Sequence, residues 1–98
     1  MRYTILGADE YFDWFESEPA RSRVQIAKRL DRIQDEGHFG DYKKLRSNLW
    51  ELRWENGRRV YFSLIPEAQV LMLLGGNKNG QTKDINKAEK IYKKWIDD

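Results

Sequence analysis

The sequence predicts an α+β fold in which an antiparallel sheet is packed by helices, in the order β-α-α-β-β-β-α. Three observations support this prediction. Apolar and polar side chains alternate strictly in residues 50–54 and again in 60–64, which indicates two strands. Asn56-Gly57 lies between them and indicates a hairpin turn. Apolar residues at helical spacing on both sides of this region indicate amphipathic helices.

The first part of the chain predicts a strand followed by two helices. Residues 2–6 form a short strand, and Asp9 can cap a first helix that ends near Ser17. Pro19 suits the first turn of a second helix, which stops at Gly37. The two helices are expected to cover the apolar face of the sheet. Their inward residues are Tyr11, Phe12, Trp14 and Phe15, then Ala27, Leu30 and Ile33 with Val24 and Ile26 nearby, while Arg21, Lys28, Arg29, Arg32 and Asp35 point outward.

The central hairpin has one apolar and one polar face, and its turn decides which side chains share a face. A two-residue loop would set Arg53 opposite Val60, which places an arginine among apolar side chains. An odd-numbered loop, with Gly57 at positive φ and a bulge beside it, keeps Arg53 on the face of Arg59 and Tyr61. We therefore expect the bulge. The apolar face carries Trp50, Leu52, Trp54, Val60, Phe62 and Leu64, and the polar face carries Glu51, Arg53, Arg59, Tyr61 and Ser63.

The remaining elements are a buried strand and a final helix. Residues 70–74 show no alternation, which predicts burial on both faces of the sheet. Two glycines follow, and Lys78 emerges where the strand ends. A helix capped by Thr82 or Asp84 completes the fold, and residues 38–44 are expected to form a loop. The helix turns Ile85, Ala88, Ile91, Tyr92 and Trp95 inward and Lys87, Lys90, Lys93 and Lys94 outward.

Length and composition exclude several classes of protein. Ninety-eight residues suit one domain, spanning 1–98. The absence of cysteine excludes disulfides and thiol chemistry, and a single histidine argues against a zinc site. The amino terminus is too short and polar for a signal peptide, and no apolar run reaches membrane-spanning length. We therefore expect a cytoplasmic protein with no metal, no cofactor and no membrane contact.

Charge is distributed unevenly along the chain. Residues 1–40 contain six basic and eight acidic residues, a net charge of −2, whereas residues 43–61 contain six basic and two acidic residues, a net charge of +4. The middle of the chain would therefore attract a polyanion. The alternative is scattered, solvated surface charge, but the strand alternation places several of these cations on one face.

A cationic and phenolic sheet face can bind a phosphodiester and stabilise the negative charge that develops during its cleavage. If the nucleic acid is RNA, the 2′-hydroxyl is an internal nucleophile, so neither a metal nor a protein nucleophile is needed. No glycine-rich phosphate loop or catalytic triad can be built from this sequence. We expect the helices to leave this polar face open, with flanking loops supplying Lys43, Lys44, Lys78 and Gln81.

Each candidate also has a plain structural interpretation. Arg53 and Glu51 can form a surface ion pair worth at most about 1 kcal/mol, and Tyr61 can be an amphipathic residue at the edge of the core. Lys78 can be an ordinary loop lysine. His38 could act as a general acid, but a lone loop histidine is usually incidental. Lys43 and Lys44 can be solvated loop charges, and Trp50, Trp54, Tyr92 and Trp95 are assigned to the core.

Four segments of the chain form a pattern when taken together. They are Glu51-Leu52-Arg53, Arg59-Val60-Tyr61-Phe62, Leu73-Leu74-Gly75-Gly76-Asn77-Lys78, and Gln81 with Asp84-Ile85-Asn86-Lys87-Ala88. The pattern resembles the addiction-module killer proteins, HigB-like toxins of the RelE/ParE superfamily in type II toxin–antitoxin systems. The resemblance covers nearly the whole chain, because Gly40-Asp41 and residues 26–33 also look like that family.

The resemblance implies a RelE/ParE-like toxin encoded beside an antitoxin, often a helix-turn-helix protein that alone contacts operator DNA. Many such toxins cut mRNA on the translating ribosome without a metal and leave a cyclic phosphate. Carried onto this chain, Arg53 and Arg59 would grip the scissile phosphate. Lys78 would add charge or transfer a proton, and Tyr61 would orient or stack on a nucleotide. The implied catalytic residues are Arg53, Arg59, Tyr61 and Lys78, and the implied RNA-binding residues are Lys43, Lys44, Arg58 and Gln81, with Gln81 and Asp84 also able to hold the strand-to-helix corner.

Three alternatives to an mRNA endoribonuclease stay open. The ParE branch of the superfamily inhibits DNA gyrase without being an enzyme, a catalytically dead domain could bind only its antitoxin, and other RNA-binding modules share a basic surface. A gyrase binder needs neither Arg53 nor Arg59 on one exposed face. The general base and the antitoxin's binding mode, as an added strand or a docked helix, also stay open.

Overall fold

The computed structural model describes residues 2–97, and its elements build one mixed sheet with helices on both sides. The order is β1 (Thr4–Gly7), α1 (Asp9–Ser17), α2 (Ala20–Glu36), β2 (Tyr42–Arg46), β3 (Leu49–Arg53), β4 (Arg58–Ile65), β5 (Gln69–Asn77), a 3₁₀ turn (Lys78–Gly80) and α3 (Gln81–Asp97). The strands lie in the order β1-β5-β4-β3-β2. β2 to β5 are antiparallel, whereas β1 runs parallel to β5. The predicted α+β class is confirmed.

The strand β2 is the main departure from the predicted element order. Residues 38–44 were expected to form a loop, yet Tyr42–Arg46 pairs with β3 at the edge of the sheet. Most β2 side chains are exposed, so the strand shows no apolar alternation. Lysines on an exposed edge strand oppose pairing with another chain. This explains why the sequence of β2 is polar and resembles that of a loop.

Helices α1 and α2 form close to the predicted bounds, with two local corrections. Ala8 is the N-cap of α1 and no side chain caps the helix, so the expected Asp9 cap is wrong. α2 follows Pro19 and ends at Gly37, whose φ of 70° is left-handed. Ile26 and Ile33 face the core, but three residues expected on the inward side are exposed, so the inward stripes are rotated from the predicted ones: Phe12 on α1, and Val24 and Ala27 on α2.

The β3–β4 hairpin has the predicted register. Arg53 lies opposite Arg59. The Gly57 N–H donates to the Trp54 carbonyl and the Trp54 N–H donates to the Arg58 carbonyl, each at 3.1 Å. Gly57 has φ +96°. Together these features are those of a turn followed by a bulge in which two residues face one, and they confirm the odd-numbered loop.

A second bulge explains the unbroken apolar run of β5. Tyr61 pairs with Leu74 and Phe62 pairs with Met72, which leaves Leu73 as an extra residue on β5. Leu73 and Leu74 therefore both join the same side of the core. Residues 70–74 are buried, as predicted.

Helices cover both faces of the sheet, so the expectation that the polar face stays open is wrong. Helices α1 and α2 pack on the face of Leu52, Val60, Phe62, Val70 and Met72. Helix α3 packs on the other face through Ala88 and Ile91, against Leu49, Tyr61, Leu71, Leu73 and Leu74. We call these the α1/α2 face and the α3 face.

The aromatic residues assigned to the core are mostly placed as predicted. Trp50 and Trp54 are half-buried against the α1/α2 face, and Tyr92 packs against the α3 face. Trp95 is 40% exposed, so its core assignment is wrong. It lies near the end of α3, one turn after the buried Ile91. Among residues 2–97, no helix has the length and apolar character needed to cross a membrane.

Candidate functional site

A buried carboxylate organises the candidate site. Glu51 is only 2% exposed, and each of its oxygens lies 3.8 Å from the Nε atom of an arginine, Arg53 on one side and Arg59 on the other. Gln81, the first residue of α3, donates a hydrogen bond from Nε2 to Glu51 Oε1 at 2.8 Å. We call Glu51, Arg53, Arg59 and Gln81 the Glu51 cluster.

The local sequence explains why these four side chains meet. Alternation along β3 puts Glu51 and Arg53 on the α3 face. The bulged turn then aligns Arg59 directly opposite Arg53. The end of β5 leads through a short 3₁₀ turn into α3, which brings Gln81 over the same face. The predicted convergence of the two arginines is thus present in the structure, but around a carboxylate and beneath a helix end.

The two arginines of the cluster are not equivalent. Arg59 has a nearly buried side chain, and its Nη1 donates to the carbonyls of Trp54 and Arg58 at 3.2 and 2.9 Å. It therefore ties the hairpin turn together. Arg53 has a 39% exposed side chain, and its Nη atoms donate to no other residue within 2–97. Arg53 is the guanidinium available to a ligand.

Tyr61 does not lie on an accessible surface. Its ring is fully buried beneath α3, and its hydroxyl has no hydrogen-bond partner among residues 2–97. Burial, with the negative charges of Asp84 and Glu51, raises the pKa of Tyr61, so the phenol stays protonated at neutral pH. The predicted stacking on a nucleotide is therefore not available in this arrangement.

Lys78 lies at the end of β5, beside the hairpin turn. Its backbone N–H donates to the Gly57 carbonyl at 2.8 Å, and its side chain is exposed. A Cβ atom on Gly57 would lie 3.5 Å from the Lys78 side chain, so the lysine stem rests against the glycine. Lys78 thus adds positive charge near the turn that Arg59 holds.

Asp84 occupies the strand-to-helix corner that the sequence assigned to it. Its carboxylate lies over Gly76 so closely that a side chain at residue 76 would overlap it. Desolvation raises the pKa of Asp84, while Lys87 and Lys83 oppose that shift. The glycine at position 76 therefore leaves room for a partly buried acidic group beside the last residues of β5.

Three of the expected RNA-binding cations divide between the two faces of the sheet. Lys43 is exposed and pairs in register with Glu51, which places it on the α3 face. Lys44 lies over the Trp50 ring at 5.2 Å, on the opposite face. Arg58 also lies on that opposite face, where it contacts Gln25 Oε1 at 3.0 Å and Glu18 at 3.9 Å. Lys44 and Arg58 therefore do not join the Glu51 cluster.

Arg29 supports the site although the sequence placed it on an outward face. Its two Nη atoms donate to the Arg53 carbonyl at 3.1 and 2.7 Å, and its guanidinium lies 4.4 Å from the Trp54 ring centroid. Burial lowers the pKa of Arg29, opposed by Asp41. Only the tertiary approach of α2 to the end of β3 creates these contacts, so no local sequence signal marked them.

No metal site is assembled from the part of the chain that the structure describes, because no three His, Cys, Asp or Glu side chains gather there. His38, considered as a general acid, is exposed in the loop before β2. The Glu51 cluster offers an anion-binding guanidinium edge, and the exposed Lys43 and Lys78 outside the cluster add positive charge, which suits a phosphodiester.

Comparison with known proteins identifies similar sequences. A family model described as phage-derived protein Gp49-like (DUF891) matches residues 13–96. A protein of Haemophilus influenzae is 38% identical over 71 residues, which cover 70% of this chain and 71% of that protein.

Several solved structures share the fold. The toxin RelE of E. coli, as a mutant in the free state, has a TM-score of 0.72 at 18% identity and covers 92% of this chain and 97% of its own. The RelE–RelB complex of Pyrococcus horikoshii has a TM-score of 0.67 at 17% identity, covering 80% and 97%. The YoeB dimer of Staphylococcus aureus has a TM-score of 0.56 at 16% identity, covering 74% and 92%. At these identities the likeness concerns the fold.

Proposed function

The chain belongs to the family of phage-derived Gp49-like proteins, and from this premise we propose that it is the toxin of a type II toxin–antitoxin pair that cleaves mRNA on the ribosome. The RelE-like fold supports the toxin assignment. The observation that carries the ribonuclease assignment is the exposed guanidinium of Arg53, held beside a buried carboxylate with its Nη atoms free of other partners within residues 2–97.

In the proposed reaction, the 2′-oxygen of the RNA attacks the neighbouring phosphorus while the bond to the 5′-oxygen breaks. The products are a 2′,3′-cyclic phosphate and a 5′-hydroxyl. The 2′-hydroxyl loses its proton during the attack, and the departing 5′-oxygen gains a proton. Arg53 pairs with the non-bridging phosphate oxygens, whose charge grows in the transition state. Because the nucleophile belongs to the substrate, alignment of the chain supplies much of the rate enhancement.

Other cations take supporting roles in this proposal. Lys78 beside the turn and Lys43 on β2 are both exposed and attract the flanking phosphates. Arg59 holds the turn that presents Arg53. Lys44 and Arg58 lie on the other face of the sheet and could contact only a different part of the RNA or the ribosome.

The proposed partner is a cognate antitoxin encoded beside the toxin. The archaeal RelE structure is a complex with RelB, which supports an antitoxin partner for a chain of this fold. The Glu51-Leu52-Arg53 and Asp84-Ile85-Asn86-Lys87-Ala88 segments favour the HigB-like branch, where a helix-turn-helix antitoxin contacts operator DNA. A toxin that acts on translating ribosomes works in the cytoplasm.

Mapping transcript 5′ ends after induction of the toxin tests the proposal. We expect codon-phased cuts with the wild type and a loss of about 100-fold or more in cleavage with Arg53→Ala, the cost of removing one charge-stabilising donor. Arg46→Ala is the matched control, because its side chain is 43% exposed against 39% for Arg53 and it pairs with Glu89 away from the cluster.

Two outcomes would contradict the proposal. Intact transcripts accompanied by gyrase-dependent DNA breaks would indicate a ParE-like inhibitor. Equal cleavage by Arg53→Ala and Arg46→Ala would remove Arg53 from the reaction. Circular dichroism of both variants checks that the fold is kept.

A further inference from the structure

We propose that Glu51 is a positioning residue that aims the Arg53 guanidinium at the scissile phosphate, and that Gln81 fixes Glu51 from the first residue of α3. This inference rests on the proposed function. It assigns a role in turnover to a carboxylate, although a carboxylate and a phosphate repel each other. It also makes the position of α3 important for the active site.

Burial shows that Glu51 acts through its neighbours. Only 2% of the residue is exposed, so its carboxylate does not contact a substrate that approaches from solvent. Removing a charge from water is costly, and a buried ion pair is therefore weak evidence of added stability. A buried carboxylate between two guanidiniums and an amide is instead suited to fixing their orientation.

The contacts show what orientation is fixed. Glu51 faces Arg53 and Arg59 through their Nε atoms, each at 3.8 Å, and both Nε atoms are buried and have no hydrogen-bond partner among residues 2–97. The charge of Glu51 therefore attracts the inner edge of the Arg53 guanidinium. The Nη atoms of Arg53 remain as the donors for a ligand, and two parallel N–H donors match two oxygens of a phosphate.

Gln81 limits the freedom of the carboxylate itself. Its Nε2 donates to Glu51 Oε1 at 2.8 Å, which is shorter than the distance from Glu51 to either arginine. Oε2 is then directed to Arg53. Because Gln81 begins α3, a shift of that helix would move the carboxylate and, through it, Arg53.

The charge of Glu51 separates positioning from simple electrostatics. A negative charge near the phosphate site opposes RNA binding, so its removal alone should leave binding unchanged or tighten it. Loss of positioning lowers the rate of the bound complex instead. The two effects can therefore be told apart: loss of the charge alone leaves KM unchanged or lowers it, whereas loss of positioning lowers kcat.

The experiment uses the purified full chain with ribosomes carrying a defined mRNA. Glu51→Gln keeps the size of the side chain and removes its charge, and Gln81→Met removes the anchoring donor while Glu51 stays charged. We expect kcat to fall about 10- to 100-fold in Glu51→Gln, which is the usual loss of rate when a reacting group is misplaced. KM should be unchanged or lower. Gln81→Met should show a smaller fall in kcat of the same kind.

Glu89→Gln is the matched control. Glu89 is also a carboxylate between two cations, 2.6 Å from Arg46 and 3.2 Å from Lys93, but it lies farther along α3. The same substitution there should leave kcat and KM unchanged. Binding of an RNA with a 2′-deoxy scissile nucleotide, which cannot be cut, measures affinity separately for every variant.

The outcomes distinguish this inference from the proposed function. A wild type that cuts no RNA overturns the proposed function, and this inference with it. A wild type that cuts RNA, together with an unchanged kcat per folded molecule in Glu51→Gln or in Gln81→Met, overturns only the role of Glu51. If Glu51→Gln does not fold, kcat of Gln81→Met decides the question.

Discussion

The two faces of the sheet are both covered by helices, but they bury different chemistry. The α1/α2 face is built from apolar and aromatic side chains, and the Phe62 ring stacks with those of Phe39 and Trp50 at centroid distances of 5.5 and 6.1 Å. The α3 face buries leucines together with Glu51, Arg59, Tyr61 and Ser63. One face therefore contributes mainly to stability, whereas the other accommodates charge.

The α3 face tolerates its polar groups because most of them find partners in the backbone or in one another. Ser63 donates to the Asn48 carbonyl, and Arg59 donates to two carbonyls of the turn. Buried polar groups are costly unless they are paired. The Tyr61 hydroxyl and the Nε atoms of Arg53 and Arg59 are the exceptions, since they have no hydrogen-bond partner among residues 2–97.

The largest expected effect lies on the α1/α2 face. Phe62→Ala should reduce the free energy of unfolding by about 3–5 kcal/mol, the usual cost of a cavity left by a buried phenylalanine. Urea denaturation measures the loss. Phe12→Ala is the control, because Phe12 is 49% exposed, and it should lose clearly less. Equal losses would show that the aromatic stack is not the principal source of stability.

Adjacent glycines at the end of β5 allow the two faces to be compared directly. A side chain at Gly75 would overlap the Trp14 ring, and one at Gly76 would overlap the Asp84 carboxylate. Gly75→Ala should cost about 1–3 kcal/mol of stability through overpacking, because Trp14 packs against Tyr11. Gly76→Ala should cost less stability but more activity, since Asp84 is only partly buried. Thermal melts measure stability and cleavage assays measure activity for both variants. A larger loss of stability in Gly76→Ala, or a larger loss of cleavage in Gly75→Ala, would contradict this division between the two faces.

The Tyr61 hydroxyl provides a smaller and more specific test of the α3 face. Tyr61→Phe removes an unpartnered buried group, so stability should stay the same or rise by up to about 1 kcal/mol, while RNA cleavage is kept. Ser63→Ala, which removes a satisfied hydroxyl, should lose about 1 kcal/mol. Denaturation of both variants compares them. A Tyr61→Phe protein that folds but does not cleave RNA would place the phenol in the reaction.

The smallest expected effect is a pH dependence at the surface of the α3 side. Hydrogen bonds from Arg46 and Lys93 lower the pKa of Glu89 below its ordinary 4.5. A lowered pKa in the folded state means that the stabilisation is present above the unfolded value of 4.5 and is lost as the pH falls through the lowered pKa of the folded state. The small difference in melting temperature between wild type and Arg46→Ala should therefore shrink as the pH is lowered through this range. A difference that stays constant down to acid pH would assign it to packing.

Local sequence rules predicted the hairpin well because its register depends on few residues. The positive φ of Gly57 and the alternation of β3 and β4 were enough to pair Arg53 with Arg59. The cover over the polar face was not predictable in the same way. The amphipathic pattern of α3 shows that one side is buried, but not which face of the sheet it meets, and so Tyr61 was expected to be exposed.

The elements that sequence reasoning missed depend on contacts between distant segments. The strand Tyr42–Arg46 is held by its pairing with β3 and carries too few apolar residues to show a strand pattern. Arg29 reads as a solvated helix residue until α2 meets the end of β3. The assignment of Glu51 as the centre of the cluster likewise required the position of Gln81.

The parallel pairing of the first strand with the last has a consequence for synthesis. Strand β1 lies at the sheet edge, where Ile5 pairs with Val70, so it has no strand partner until β5 has been translated. Pairing between such distant segments forms late in folding. A nascent chain that stops before Gln69 therefore lacks the strand that joins β1 to the rest of the sheet, and the sheet is completed only after β5 has been translated.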